Sequence, residues 1–378
     1  MATTVRDIQA SGGDYTTVGS WESATTTNSG ADIWKGECAA EDFDEAIVIA
    51  NTETIGASAY VWLSSQSGSE HSGVYSTSKA RMAYTGGATA VIDNDEDYTR
   101  ISWMQIHRPS SGSSGNSDEG IRAGNVDNML IQYMVIWTDE IVQNMDGIHM
   151  DGGFDNAANT LYIDNCVIYG FARGGVHCNY GDKDHPTLVR IDHCFITYNG
   201  DSSAGQSNEG NLLNWNATEY SNWTVYNTII ATNGATTDAA TQEWKMVGAS
   251  NQAVADGDYN VRTGSGETDL SAFLTDNTAN WVDATDGVTD SAPATGGVYV
   301  ADFTGITTFD LTLQSHANNV AEDAGVAQSE PDSRQDFSVD ITGAARPTSG
   351  SVDIGPFQIT SSGSMAPLAY HYLTRMRG

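Results

Sequence analysis

The side chains best able to do chemistry come at a regular interval. Arg122, His149 and His177 each follow a glycine by two residues, in Gly120-Ile-Arg-Ala, Gly147-Ile-His-Met and Gly175-Val-His-Cys. Asp146, Asp151, Arg173, Asp182, Asp184 and His185 lie close to them in sequence. Two imidazoles among carboxylates and an arginine can perform general acid–base catalysis. Carboxylate pairs such as Asp146 with Asp151, or Asp182 with Asp184, can serve glycoside hydrolysis. Joined by Asp151, His149 and His177 could also ligate a transition metal. The same residues also suit an inert polar ladder on the outside of a repetitive fold.

Those spacings need an element that repeats about every 30 residues. It is present as a hexapeptide: Ile101-Ser-Trp-Met-Gln-Ile106, Ile131-Gln-Tyr-Met-Val-Ile136, Ile163-Asp-Asn-Cys-Val-Ile168, Ile191-Asp-His-Cys-Phe-Ile196 and Val225-Tyr-Asn-Thr-Ile-Ile230. A period of 20–50 residues is the mark of a solenoid. Helix-length amphipathic segments are missing, and the unit is too short for a four-stranded propeller blade. The prediction is an all-β, single-stranded right-handed parallel β-helix with an N-terminal cap and an irregular C-terminal region. Like residues then stack in adjacent rungs, which predicts a core column of Met104, Met134, Cys166, Cys194 and Thr228. Cys166 and Cys194 are expected to stack as thiols rather than as a disulfide. Alternation puts Ile121, Ile148 and Val176 inside and Arg122, His149 and His177 outside, in one exposed ladder. Gly210-Asn-Leu-Leu is read as the next member of the glycine column. Trp103, Tyr133, Asn165, His193 and Asn227 share the third hexapeptide position. A bend within the hexapeptide is expected, so periodicity leaves that column's facing open: outward it would suit sugar stacking or an interface, inward it is core.

The expected organisation is a cap over 1–32, a β-helix with loop insertions over 33–360, and a tail over 361–378. A short helix should open near Thr17. Strands are expected at 46–50, 59–63, 256–260, 309–313 and 352–358. Surplus length falls in polar loops at 110–118, 151–159, 179–186 and 199–208, where ligands of solenoids usually bind. The tail is apolar and basic, and Leu368, Tyr370, Tyr372, Leu373, Arg375 and Arg377 form a candidate docking segment.

Charge narrows the partners. Against 49 acidic residues stand 16 basic ones, a net charge of −33, which repels nucleic acid and anionic surfaces. No apolar run reaches the ~20 residues of a membrane span. The opening lacks the basic and apolar regions of a secretory signal. The expectation is therefore synthesis in the cytosol. No cofactor is expected; the acidic run at Asp93, Asp95 and Asp97 is a weak Ca²⁺ candidate, without the glycine and distal glutamate of a helix-loop-helix calcium loop.

Leu311-Thr-Leu313, Asp323-Ala-Gly325, Asp340-Ile-Thr-Gly343, Arg346-Pro347 and Val352-Asp-Ile-Gly-Pro-Phe357 resemble, in that order, the C-terminal signature of right-handed β-helix proteins of the pectate-lyase-like superfamily, the group containing chondroitinase-B-like lyases. Gly12-Gly-Asp-Tyr15, Trp21-Glu22 and Tyr98-Thr-Arg-Ile101 resemble β-helix proteins of tailed bacteriophages. The resemblance implies the fold over nearly the whole chain. It also implies a place on a virion as capsid decoration, head spike or tail accessory, in contact with other virion proteins, with a host-surface glycan as a possible ligand, and as a homo-oligomer, often a trimer. The leading expectation is a non-enzymatic structural protein. The alternative is a polysaccharide lyase or glycosidase of tail-spike type, worked by His149, His177, Arg122, Asp146 and Asp151.

Overall fold

A computed structural model describes residues 3–25, 32–50, 56–86, 89–109, 119–124, 126–139, 145–151, 160–179, 187–197, 199, 209–214, 221–231, 241–246, 256–258, 260–263, 282–285, 288–304, 307–327 and 334–359. Asp182, Asp184, His185 and the whole candidate docking segment from Leu368 to Arg377 lie outside the described residues.

The repeat coils as expected. Three parallel sheets run along the body, and each strand pairs with its equivalent one coil earlier and later. Sheet A has nine strands, from Thr3–Ile8 to Asp256–Asp258. Sheet B has nine, from Asp42–Phe43 to Val282–Asp283, and sheet C has seven, from Ile47–Ile49 to Thr241–Met246. One coil reads Arg100–Ser102 in A, Gln105–His107 in B, Ile121–Ala123 in C, then Met129–Gln132 back in A. This is a right-handed parallel β-helix, the hand that right-twisted strands favour for a parallel crossover.

Each hexapeptide is thus two short strands of different sheets joined by a corner. The corner is the third residue, and it takes the left-handed conformation on every coil: φ is 61° at Trp103, 54° at Tyr133, 52° at Asn165, 51° at His193 and 46° at Asn227. Left-handed backbone is uncommon outside glycine and costs bulky residues most. Here stacking over-determines it. The fourth residue turns back into the core, so Met104, Met134, Cys166, Cys194 and Thr228 form a fully buried column. The Cys166 amide points at the Cys194 sulfur, at 3.5 Å, and both thiols are free. The column then turns polar: Asn260 Oδ1 accepts from the Thr228 amide at 2.9 Å.

The core begins further N-terminal than expected, because Thr3–Ile8 already pairs in register with Ile33–Cys38. The helix Val18–Thr25 closes the first coils, with Val18 and Trp21 buried. Among the described residues no helix is long and apolar enough to cross a membrane. The expected strands at 46–50 and 59–63 appear as Ile47–Ile49 and Val61–Ser65, and those at 256–260 and 309–313 as Asp256–Asp258 and Asp310–Leu313. The expected final strand over 352–358 shrinks to the two-residue strand Ser351–Val352, which pairs antiparallel with Gly325–Val326. The rest of that segment is held by turns instead, because Asp353 takes the amides of Asp323 and Ile359.

Candidate functional site: a buried ladder on sheet C

The outer face of sheet C carries the expected ladder. Asp93, Arg122 and His149 follow one another in register, and His149 pairs with His177. The fourth rung corrects the sequence reading by one residue. Gly210 pairs with Gly174, so Leu212 matches Val176 and Leu213 matches His177. A slip of one residue reverses every side chain, and only this register keeps Leu212 in the core.

The ladder is not exposed, and here the expectation fails. His149 is 5% and His177 1% accessible. Arg122 and Asp93 stay part-exposed, and Arg122 is engaged: its guanidinium holds Asp93 at 3.0 Å and Asp151 at 2.8 Å. The two imidazoles stack at 4.4 Å, nearly parallel at 7°. Each is oriented by a carboxylate of the coil before it. His149 Nδ1 meets Glu119 Oε1 at 3.0 Å, and His177 Nδ1 meets Asp146 Oδ2 at 2.8 Å. Arg173 closes the group, its Nε donating to the same Asp146 oxygen at 2.9 Å.

The electrostatics follow from burial. Burial works to raise the Asp146 carboxyl, but the Arg173 charge and His177 outweigh it and hold it below the usual carboxylate range. Burial lowers His177 to about 4, against the pull of Asp146, so the imidazole is neutral at pH 7. The Glu119 carboxyl is pushed up by burial, with the His149 hydrogen bond opposing. The geometry therefore makes two carboxylate–imidazole dyads, one coil apart, with Asp146 shared by an arginine.

Asp146, His149 and His177 each offer a ligand atom within 4.8 Å of the others. Their arrangement suits hydrogen bonding better than ligation. Both Nδ1 atoms face carboxylates, the two rings stack on each other, and Arg173 already neutralises Asp146. Asp151, expected to bridge the histidines, instead holds Arg122. The Asp93, Asp95 and Asp97 run is likewise committed in part: Asp93 to Arg122, and Asp97 to the Asp127 amide at 2.7 Å.

Sequence reading missed Glu119. Its signal was there: an acid precedes the column glycine in both Glu119-Gly-Ile-Arg122 and Asp146-Gly-Ile-His149. Glycine is required between them because the coils come so close. A Cβ on Gly147 would lie 2.6 Å from the Gly175 carbonyl oxygen.

The third-position column faces outward from the corner, yet it is buried under the C-terminal segment. Trp103 and Tyr133 stack at 4.1 Å beneath Val339. The Tyr133 hydroxyl donates to the Asp336 carbonyl. Arg346 donates to Asn165 Oδ1 at 2.9 Å, and the Val326 amide donates to Asn227 Oδ1 at 2.9 Å. The aromatics are thus not available for sugar stacking. The C-terminal pieces read in the sequence are the residues that make this strap. Asp340 Oδ1 caps Thr342 and Ala344, and Gly355, at φ 99°, donates its amide to Asn227.

No family model matches this sequence, and no curated protein matches it. Several solved structures are similar. Escherichia coli YbhC gives a TM-score of 0.49 at 12% identity over 74% of this chain and 76% of that one. The pectin methylesterase of Aspergillus niger gives 0.44 at 12% identity over 79% and 85%. Pectate lyase Pel9A gives 0.43 at 12% identity over 95% and 98%. At these values the likeness concerns architecture alone, and the parallel β-helix of this chain rests on its own strand pairing.

Proposed function

We propose that this chain is a non-enzymatic virion protein of a tailed bacteriophage, a rigid β-helix body carried on the particle as capsid decoration, head spike or tail accessory. One observation carries the non-enzymatic part. The residues best suited to catalysis are engaged with one another and buried: Glu119 with His149, and Asp146 with His177 and Arg173. Arg122, the cation placed to meet a uronate carboxylate, is held by two aspartates. The phage setting is supported by the resemblance of the opening segment, and the partners are then other virion proteins, with copies of the chain itself as a trimer. A net charge of −33 keeps such a body soluble and away from nucleic acid.

The second reading is a polysaccharide lyase or glycosidase. It is favoured by the dyads, since a neutral imidazole oriented by a carboxylate is what a general base requires. Incubation with a panel of acidic and neutral polysaccharides, with and without Ca²⁺, separates the two. The proposal expects neither unsaturated products nor new reducing ends. Turnover lost on His177→Ala or His149→Ala would establish the enzyme.

A further inference from the structure

Two buried carboxylates on sheet A have no part in the ladder above. Asp164 and Asp192 pair in register on adjacent strands, and both are fully buried. Each uses one oxygen in a hydrogen bond. Asp164 Oδ2 accepts from Gln335 of the C-terminal strap at 2.7 Å, and Asp192 Oδ2 accepts from Arg190 Nε at 2.6 Å. Both Oδ1 atoms are buried, with no hydrogen-bond partner among the described residues. Like charges one coil apart, ~4.8 Å, and shut off from water repel strongly, and such a pair keeps a proton rather than ionise twice.

We propose that Asp164 and Asp192 form a proton-holding latch: with a proton retained on the pair the C-terminal strap lies closed over sheet A and the corner column, and loss of that proton at alkaline pH opens the strap.

The titratable and charged groups around the pair are Arg100, Arg190 and Tyr226 on sheet A, Tyr133 and His193 at the corners and Cys194 in the core column; from the strap Gln335 reaches Asp164, and Arg346 lies against His193. Arg190 meets only Asp192 directly, and Arg100 is hydrogen-bonded to Gln132. His193 is kept neutral by burial, with Arg346 and Arg190 adding to the effect, so it supplies no charge. Burial raises Asp192 to about 7, and burial followed by the Asp192 charge raises Asp164 further above its ordinary value. The sign follows. The closed state holds a proton that an open, hydrated pair releases near pH 4. Closure is therefore complete only below about pH 4 and weakens as pH rises from there through about 7, by up to on the order of tenfold in the opening constant per pH unit for one proton.

The latch does not depend on the virion reading. Hydrogen exchange of strap peptides spanning 334–347, corrected for intrinsic rates, tests it on the full chain between pH 6 and 8.5. The expected result is a 10- to 100-fold rise in strap opening for the wild type, on the scale set by that linkage, with the strand Asp146–Met150 unchanged. Asp164→Asn and Asp192→Asn should each flatten the slope. Should one variant fail to fold, the infrared band of a protonated carboxyl near neutral pH, present in the wild type and lost in the other variant, carries the same test. Strap exchange independent of pH, an equal slope in a folded Asn variant, or absence of that band would overturn the proposal.

Discussion

Replacing Asp146 with alanine should be among the most damaging changes to the body. The carboxylate is fully buried and takes Arg173 and His177 on one oxygen. Its removal takes the buried aspartate from a guanidinium that is 8% accessible and the Nδ1 partner from an imidazole that is 1% accessible. Breaking a buried ion pair from one side costs roughly 3–5 kcal/mol, because the remaining charge keeps its desolvation penalty. Asp146→Asn, which keeps a hydrogen-bonding group but not the charge, should cost about 1–3 kcal/mol. Adding Arg173→Met to Asp146→Ala should recover part of the loss, with a coupling of about 1–3 kcal/mol in the double-mutant cycle. Coils of a solenoid can unfold in parts, so global denaturation is best paired with hydrogen exchange of Asp146–Met150 and Gly174–Cys178. The effect should also depend on pH. The pair depresses Asp146, so its stabilisation is present above about pH 4, the value of an unfolded aspartate, and is lost on further acidification. A loss below about 1 kcal/mol at pH 7, or a cost unchanged at pH 3, would refute the claim that these residues form a buried, charge-balanced network.

Other outcomes follow from the same geometry. Gly147→Ala places a methyl 2.6 Å from the Gly175 carbonyl oxygen and should destabilise by about 1–3 kcal/mol in urea titration, since the coils cannot separate locally. Tyr133→Ala removes both a stacked aromatic and the strap contact at Asp336; it should cost about 3–5 kcal/mol and expose Arg334 and Arg346 to limited trypsin digestion. Burial lowers His71, His107 and His177 to about 4 each. The unfolded chain therefore binds more protons below about pH 6.5, and stability should fall on acidification from there to about 4. A urea midpoint that stays flat across that window would contradict the assigned burial.

Much of the fold was legible because stacking in a β-helix is a property of sequence register. The hexapeptide and its first and last aliphatic positions set the sheets, and the column of methionines and cysteines marked the core. Facing was not legible at the third position. A left-handed corner breaks the two-residue alternation there, and what covers it is a strap far along the chain, such as Asp336 over Tyr133, 203 residues on. The ladder was legible as a set of residues but not in its accessibility. Alternation correctly put His149 and His177 on the outer face; their burial comes from neighbours such as Glu119 and Arg173, which register alone does not reveal. The one-residue error at Gly210 arose because two consecutive glycines, Gly174 and Gly175, offered alternative alignments, and the burial of Leu212 decides between them.

The most direct test of the account is quantitative mass spectrometry of purified phage particles from the source of this sequence, after density-gradient separation and a high-salt wash. The account predicts the chain at a fixed copy number per particle, in a ratio to the major capsid protein that the wash leaves unchanged. Its absence from purified particles, with the protein recovered only free in the lysate, would contradict it.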